Sequence, residues 1–431
     1  MVWLLIACVA LYAWETSHFQ VLMSVHQGGP WLIRNAVELG LPAAVVLVAV
    51  LALEQHVRKG ARLSTLARGY LWLGGFTLIV TVVWGGLIEA RYIVQGLVFA
   101  FIMDIVLRER GRLVRFLWGN AVVGVACVAL NTVPVLHFSR LITLPTTYIE
   151  RFGGGWEATG VKILSFGVFG RAEWDAYPLK GVWFNRLHGW SFEPIHWAYF
   201  VFWTAVCCLL LLSHVRGKAA RRSLWAALAM IVAHLYFVFS AAAFLVLALT
   251  AAIVVWHRAA SLISPGLSRI TIYLAVVVGG GLAGPMVLAM TPSFTRMITE
   301  ERVLAKGDNW ESKVAFVRLG SKVLTRVVPN PAMADGAGHN LVLSTYLAFG
   351  VFGVFPLLAF EWRFLRFVLR SPGRPVQVAG LLSLVAMNHQ VPWMLFYPLG
   401  AIWVVTICHA ARFAAVQQRP VSLELTLAKT A

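Results

Sequence analysis

Charge is what this sequence has least of. Asp, Glu, Lys and Arg together make up 13% of its 431 residues, while 60% are hydrophobic and the mean hydropathy is +0.77. A soluble domain carries about 25% charged and roughly 45–50% apolar residues. So little charge excludes a water-soluble enzyme and a disordered chain, because no aqueous core hides that much apolar surface. Cysteine is equally sparse. Cys8, Cys127, Cys207, Cys208 and Cys408 all sit in apolar runs without Cys-x-x-Cys or Cys/His metal spacing. A disulfide scaffold is therefore excluded, and the five read as small buried apolar side chains. The sequence shows no internal repeat, which argues against an inverted-repeat transporter. It also shows no ladder of acidic residues across its apolar runs, which argues against a proton-coupled one.

What is present is lipid-facing material. A membrane helix needs about 20 mainly apolar residues. Twelve candidate spans lie near 1–14, 31–53, 70–88, 92–107, 116–136, 195–214, 223–240, 241–256, 270–291, 339–360, 376–390 and 392–411. The first starts at Met1 without a basic n-region, so a cleaved signal peptide is not expected. The expected fold is an all-α polytopic membrane protein with about 12 transmembrane helices. Two long extracytoplasmic loops, each containing short helices, interrupt it. Its parts are 1–136 (spans 1–5), 137–194 (first long loop), 195–291 (spans 6–9), 292–338 (second long loop) and 339–431 (spans 10–12 and a cytoplasmic tail). Eighteen Trp and 26 Phe suit the headgroup layer.

The net charge of +18 tests that count. Twenty-one basic residues fall in six clusters, around residues 58–68, 108–115, 216–222, 258–269, 363–374 and 412–429. Twelve spans put all six on one side, and the short connections of the other side hold only Arg91. The positive-inside rule makes the rich side cytoplasmic, with both termini inside. The basic excess is thus topogenic, and nucleic acid is not an expected partner.

Long loops usually carry function. The first ends in Arg186-Leu-His-Gly189-Trp-Ser-Phe-Glu193-Pro194, directly before a span. An Arg and a Glu at a bundle mouth are costly unless paired or functional. Arg186 could equally be an interfacial anchor that snorkels to headgroups. The second loop ends in Asp335-Gly336-Ala-Gly338-His339-Asn340, again directly before a span. His339 is either a helix-start cap or a proton-transfer group. Residues 310–328 have helical apolar spacing, as in an interfacial amphipathic helix. Arg296, Arg302, Lys306, Lys313, Arg318, Lys322 and Arg326 form a cationic set suited to phosphate oxygens, whether of a substrate or of lipid headgroups. Within the spans, Arg34 can pair with Glu38 and Asp104 with Arg108, each at i,i+4. Arg34 lies in the outer half, on the side of the long loops.

Two stretches carry a family likeness. The Arg186-x-x-Gly189-x-x-x-Glu193-Pro194 stretch resembles a segment before a membrane span in bacterial O-antigen and exopolysaccharide polymerases. Trp310, then Gly336-x-Gly338-His339-Asn340-x-x-Leu343 and Gly350-x-x-Gly353, is similar to a region shared by those polymerases and the O-antigen ligases. The layout of spans and loops matches as well. Two positions depart from the family pattern: Lys306 stands where an Arg is frequent, and Ala348 where an acid is common.

The resemblance implies metal-independent, inverting glycosyl transfer at the periplasmic face of the bacterial inner membrane. It implies no cofactor. The donor would be a glycan on undecaprenyl diphosphate. The acceptor would be another lipid-linked glycan in a polymerase, or the lipid A-core in a ligase. A chain-length regulator protein is a further partner the likeness admits. Arg186, His339 and Glu193 would be catalytic. Lys306, Arg302, Arg296, Arg318, Asn340 and Arg34 would bind diphosphate or glycan. A polysaccharide or lipid transporter, or flippase, is the reading from a different class.

Overall fold

A computed structural model describes residues 63–83, 87–132, 194–238, 241–276, 341–388 and 398–417, five strand stretches between 139 and 185, and eight isolated positions before residue 59. The candidate spans 1–14 and 31–53 and the whole of loop 292–338 lie essentially outside the described residues.

Ten helices account for nearly all of what is described. They are α1 (Thr65–Val83), α2 (Leu87–Val106), α3 (Arg110–Thr132), α4 (Pro194–His214), α5 (Lys218–Val238), α6 (Ala241–Ile263), α7 (Pro265–Leu274), α8 (Leu341–Arg370), α9 (Arg374–Asn388) and α10 (Pro398–Gln417). Long apolar runs become helices because only a helix satisfies every backbone group within its own segment when water is absent. Local chemistry sets the starts. Ser64 Oγ accepts from Ala67 N (3.2 Å) ahead of α1. Pro194, Pro265 and Pro398 each occupy a first helical position, where a missing N–H costs nothing. Between α8 and α9 the three-residue connection Ser371-Pro372-Gly373 closes on Gly373 at φ +102, a backbone region that favours glycine.

Among the described residues, four segments are long and apolar enough to cross a membrane: Thr65–Val83, Arg110–Asn131, Trp197–His214 and Ala243–Ile263. Their outer surfaces agree. Trp72, Phe76, Ile79, Val82 and Val83 of α1 are exposed, as are Val255, Trp256, Leu262 and Ile263 of α6. Contiguous apolar surface of this kind has no place in water and needs none in lipid. The chain is a helical membrane protein.

At the centre stands α4. From Trp197 to Leu212 every residue is buried, and α3, α5, α6, α9 and α10 all pack on it. Close approach depends on small residues, as membrane helix pairs require. A Cβ on Gly124 of α3 would run into the Thr204 side chain of α4, and one on Gly380 of α9 into Val368 of α8. Trp203 stacks on Trp403 of α10 (6.0 Å, 16°), and Tyr199, one helical turn before Trp203, stacks on the same indole group (6.3 Å, 23°). The sequence places its aromatics in the headgroup layer. Trp197, Trp203 and Trp403 instead fill the core, because their N–H groups find partners there or their ring area is needed between helices.

Several helix ends that carry charged connections meet at one pole. The start of α1 meets the end of α2 through Ser64 N and Asp104 (3.0 Å). The end of α10 meets Asp104 through His409 (3.0 Å). Gly373, before α9, faces Ser213 at the end of α4. Arg221 Nη1 donates to Leu212 O (3.1 Å).

The described stretches of the first long loop are extended, where short helices are expected. β1 (Ser139–Thr143), β2 (Gly160–Leu164) and β3 (Phe169–Ala172) form an antiparallel sheet in that order, and β4 (Ala176–Leu179) pairs with β5 (Val182–Asn185). Val161, Ile163, Val182 and Phe184 alternate along their strands, which favours a pleated surface over a helix.

Candidate functional site

The nine residues singled out from the sequence are His339, Arg186, Glu193, Lys306, Arg302, Arg296, Arg318, Asn340 and Arg34. All nine lie outside the described residues, as does the pair partner Glu38. What the structure does describe is the framework they are attached to. Arg186 immediately follows the last residue of β5, and Glu193 immediately precedes α4. Asn340 immediately precedes α8. Helices α4 and α8 both pack along α9. The pairing of α4 with α9 is fixed by Tyr199, whose hydroxyl donates to Ala386 O (3.0 Å). The pairing of α8 with α9 is fixed by Asn388, whose Nδ2 donates to Glu361 Oε1 (2.8 Å). Two residues of one short helix therefore hold both of the helices that leave the motif segments.

The backbone of the Gly350-x-x-Gly353 stretch is described. Gly350 has φ 63 and ψ −158, a break inside α8. That conformation is essentially restricted to glycine. Three residues on, a Cβ at Gly353 would collide with the Phe349 side chain. With Pro356 just beyond, the first turns of α8 set off at an angle from the remainder. The direction in which the helix leaves His339 and Asn340 is thus set by these two glycines.

Three buried polar pairs join the helices near α4. Trp197 Nε1 donates to His234 Nε2 of α5 (2.8 Å), Trp203 Nε1 to Asn120 Oδ1 of α3 (3.2 Å), and Asn388 to Glu361 as above. Glu361 and Asn388 are 2% and 1% exposed. The span expected at 339–360 stops one residue short of Glu361. The helix continues for ten more residues, and the acid is enclosed within it. The signal was an acid flanked by Phe360 and Trp362 in a run where only arginines otherwise interrupt the apolar residues.

At the basic pole the expected Asp104–Arg108 pair is present at 3.3 Å, and it is part of a larger knot. Fully buried Asp104 also accepts from Ser64 N and lies 3.0 Å from His409 Nε2. Arg108 further donates through Nε to Asp104 O (3.2 Å). The carboxylate thereby ties α1, α2 and α10 together with three donors.

Cys127, Cys207, Cys208 and Cys408 are free and buried, as their apolar surroundings suggest; Cys8 lies outside the described residues. Among the described residues no three His, Cys, Asp or Glu side chains gather as a metal site would require. Compared with known proteins, the chain matches no family model and no curated protein.

Proposed function

We propose that this chain is a glycosyltransferase of the bacterial cytoplasmic membrane, acting at the periplasmic face on glycans carried by undecaprenyl diphosphate, and that it polymerises them. The basic pole then faces the cytoplasm, with twelve spans and both termini inside. The observation that carries the reading is the shared anchorage on α9: the segments ending at Glu193 and Asn340 run straight into α4 and α8, and both helices are bonded to that one short helix.

The chemistry follows from the residue types. An acceptor hydroxyl oxygen attacks the anomeric carbon, and the bond from that carbon to the diphosphate oxygen breaks with its electron pair leaving on the diphosphate. The sugar passes through an oxocarbenium-like state, and a single displacement inverts the centre. Arg186 neutralises the departing diphosphate with Lys306 or Arg302, because fixed cations aimed where charge develops lower the barrier. His339 takes the hydroxyl proton, an effect worth about 10²–10⁴-fold; Glu193 is the second base available. Asn340, Arg296, Arg318 and Arg34 bind sugar and phosphate groups around this centre. No nucleotide is needed, since the lipid diphosphate supplies the energy.

The test is an assay with a lipid-diphosphate glycan and purified protein in lipid. His339→Ala and Arg186→Ala should each abolish chain extension while the protein still inserts. Normal extension in both variants removes these residues from the mechanism. Transfer only to a lipid A-core acceptor identifies a ligase. The buried acid Glu361 is the one observation that favours a transporter of lipid-linked glycan instead. That reading requires movement of the glycan lipid across vesicles without new glycosidic bonds.

A further inference from the structure

The α8–α9 joint contains an arrangement that neither glycosyl transfer nor helix packing uses up. Glu361 Oε1 accepts from Asn388 Nδ2, and the second hydrogen of that amide goes to Leu384 O (3.1 Å). The second bond fixes which way the amide points, since a flipped Asn388 would set its oxygen against a carbonyl. Two oxygens are left over, Glu361 Oε2 and Asn388 Oδ1, both buried without a hydrogen-bond partner. Among the described residues no Lys, Arg or His pairs with Glu361.

The neighbouring elements bring no counter-charge. From α6, His257 is engaged with Ser268 (2.8 Å) and Arg258 is exposed; from α4, Tyr199 donates to Ala386 O, and His214 stands at the opposite end of α9, next to the Ser213 that faces Gly373. From α7, Tyr273 spends its hydroxyl on Leu358 O (2.9 Å) and its ring on Trp362, and Arg269 stands a helical turn beyond it. From α1, Tyr70 meets Phe360 with its ring, and Arg68 is exposed. On α10, His409 is committed to Asp104 and Arg412 is exposed. On α9 the one cation is Arg374, exposed at the far end, and Arg363 and Arg370 of α8 itself are exposed. Arg366 lies over the Trp362 ring.

An isolated carboxylate in such surroundings is strongly disfavoured. Two lone oxygens beside one N–H···O bond are the heavy-atom pattern of a neutral carboxylic acid facing a primary amide. A proton on Oε2 donates to Asn388 Oδ1, and the pair closes into a ring of two hydrogen bonds. We infer that Glu361 and Asn388 form a proton-binding site that joins α8 to α9. With the proton bound, both oxygens are satisfied and the helices are locked. On its loss, a bare carboxylate faces an amide oxygen and the joint loosens. This holds whatever reaction the loops perform. Ala386, which holds α4, is two residues from Asn388, so the same event bears on both helices that leave the motif segments.

The test uses the full chain in lipid nanodiscs. Infrared spectra with carbon-13 glutamate should show a protonated-carboxyl stretch at neutral pH that shifts with the label and is missing from Glu361→Gln. The glutamine can still form both hydrogen bonds, so that variant should fold and melt like the parent at about pH 4. Sign follows from the bound proton, which the unfolded chain releases at about pH 4.3: the stability is fully present below that pH and falls as pH rises from there through the titration of the folded pair. The melting midpoint of the parent should therefore drop from mildly acid pH upward, and that drop should be lost in Glu361→Gln. Absence of the labelled band in the parent overturns the proposal without reference to any variant. So does an identical drop with rising pH in the parent and Glu361→Gln. Stability that follows sodium or potassium concentration at fixed pH, and does so only in the parent, would assign the oxygens to a metal cation and refute the proton. Glycan transfer is not read in any of these arms, so their failure leaves the proposed reaction standing.

Discussion

Removing the Trp203 indole nitrogen isolates one bond in the centre of the bundle. In Trp203→Phe the Asn120 Oδ1 atom loses the donor 3.2 Å away, while Asn120 Nδ2 keeps Phe116 O at 2.9 Å. Two terms compete in the expected cost. A hydrogen bond between membrane helices is worth about 0.6 kcal/mol on average and at most about 1.7. Leaving a buried acceptor unpaired costs about 1–3 kcal/mol. Asn120 is 8% exposed and Trp203 1%, so water cannot replace the indole and the second term governs. The weaker stack on Trp403 adds about 0.5–1.5 kcal/mol. Trp203→Phe should therefore destabilise by about 2–4 kcal/mol. Asn120→Ala alone strands the indole N–H in the same way. In the double variant neither orphan exists, so the two losses should fall short of adding by at least about 1 kcal/mol. The assay is a double-mutant cycle from reversible unfolding in detergent–denaturant mixtures. Additivity within about 0.5 kcal/mol, the behaviour of independent sites, would refute the reasoning.

Two further outcomes follow from the same structure. Asp104→Asn should destabilise by about 3–5 kcal/mol, since it breaks a buried ionic group on one side; Arg108→Gln should cost less, about 1 kcal/mol, because the Arg108 side chain is 23% exposed and so reaches solvent. Equal melting shifts in the two would contradict the three-donor knot. Gly350→Ala should cost about 1–3 kcal/mol from its backbone conformation alone, and should reduce chain extension in protein that remains inserted. An unchanged melting midpoint would show that the break in α8 does not need glycine.

How far the fold could be read depended on which force drew each boundary. The expected spans 70–88, 116–136 and 223–240 correspond to Thr65–Val83, Arg110–Thr132 and Lys218–Val238. Hydropathy locates the hydrocarbon-embedded part of a helix. Backbone hydrogen bonding carries the helix several residues further, through Arg110, Arg112, Lys218 and Arg221. The same effect hid Glu361, because a window that stops at the first acid cannot tell a helix end from an enclosed carboxyl group. The Asp104–Arg108 pair was legible because four residues make one helical turn. His409, 305 residues along the chain, was not, since nothing local announces that α2 and α10 are neighbours. Of the motif stretches, the glycines at 350 and 353 fall on described residues: Gly350 has a positive φ, and Gly353 lies too close to the Phe349 side chain for a Cβ. The histidine and arginine assigned to chemistry lie beyond the described helices.

The central position of α4 has a consequence for how the chain is made. Of the helices that enclose it, only α3 is synthesised beforehand; α5, α6, α9 and α10 emerge from the ribosome later. During translation α4 must enter the bilayer before His234, Ala386 and Trp403, the partners of Trp197 and Tyr199, exist, and it acquires its final surroundings only when residues near 374–417 arrive. Chains that terminate prematurely before that point should be cleared by membrane proteases, even though every segment they contain is able to insert.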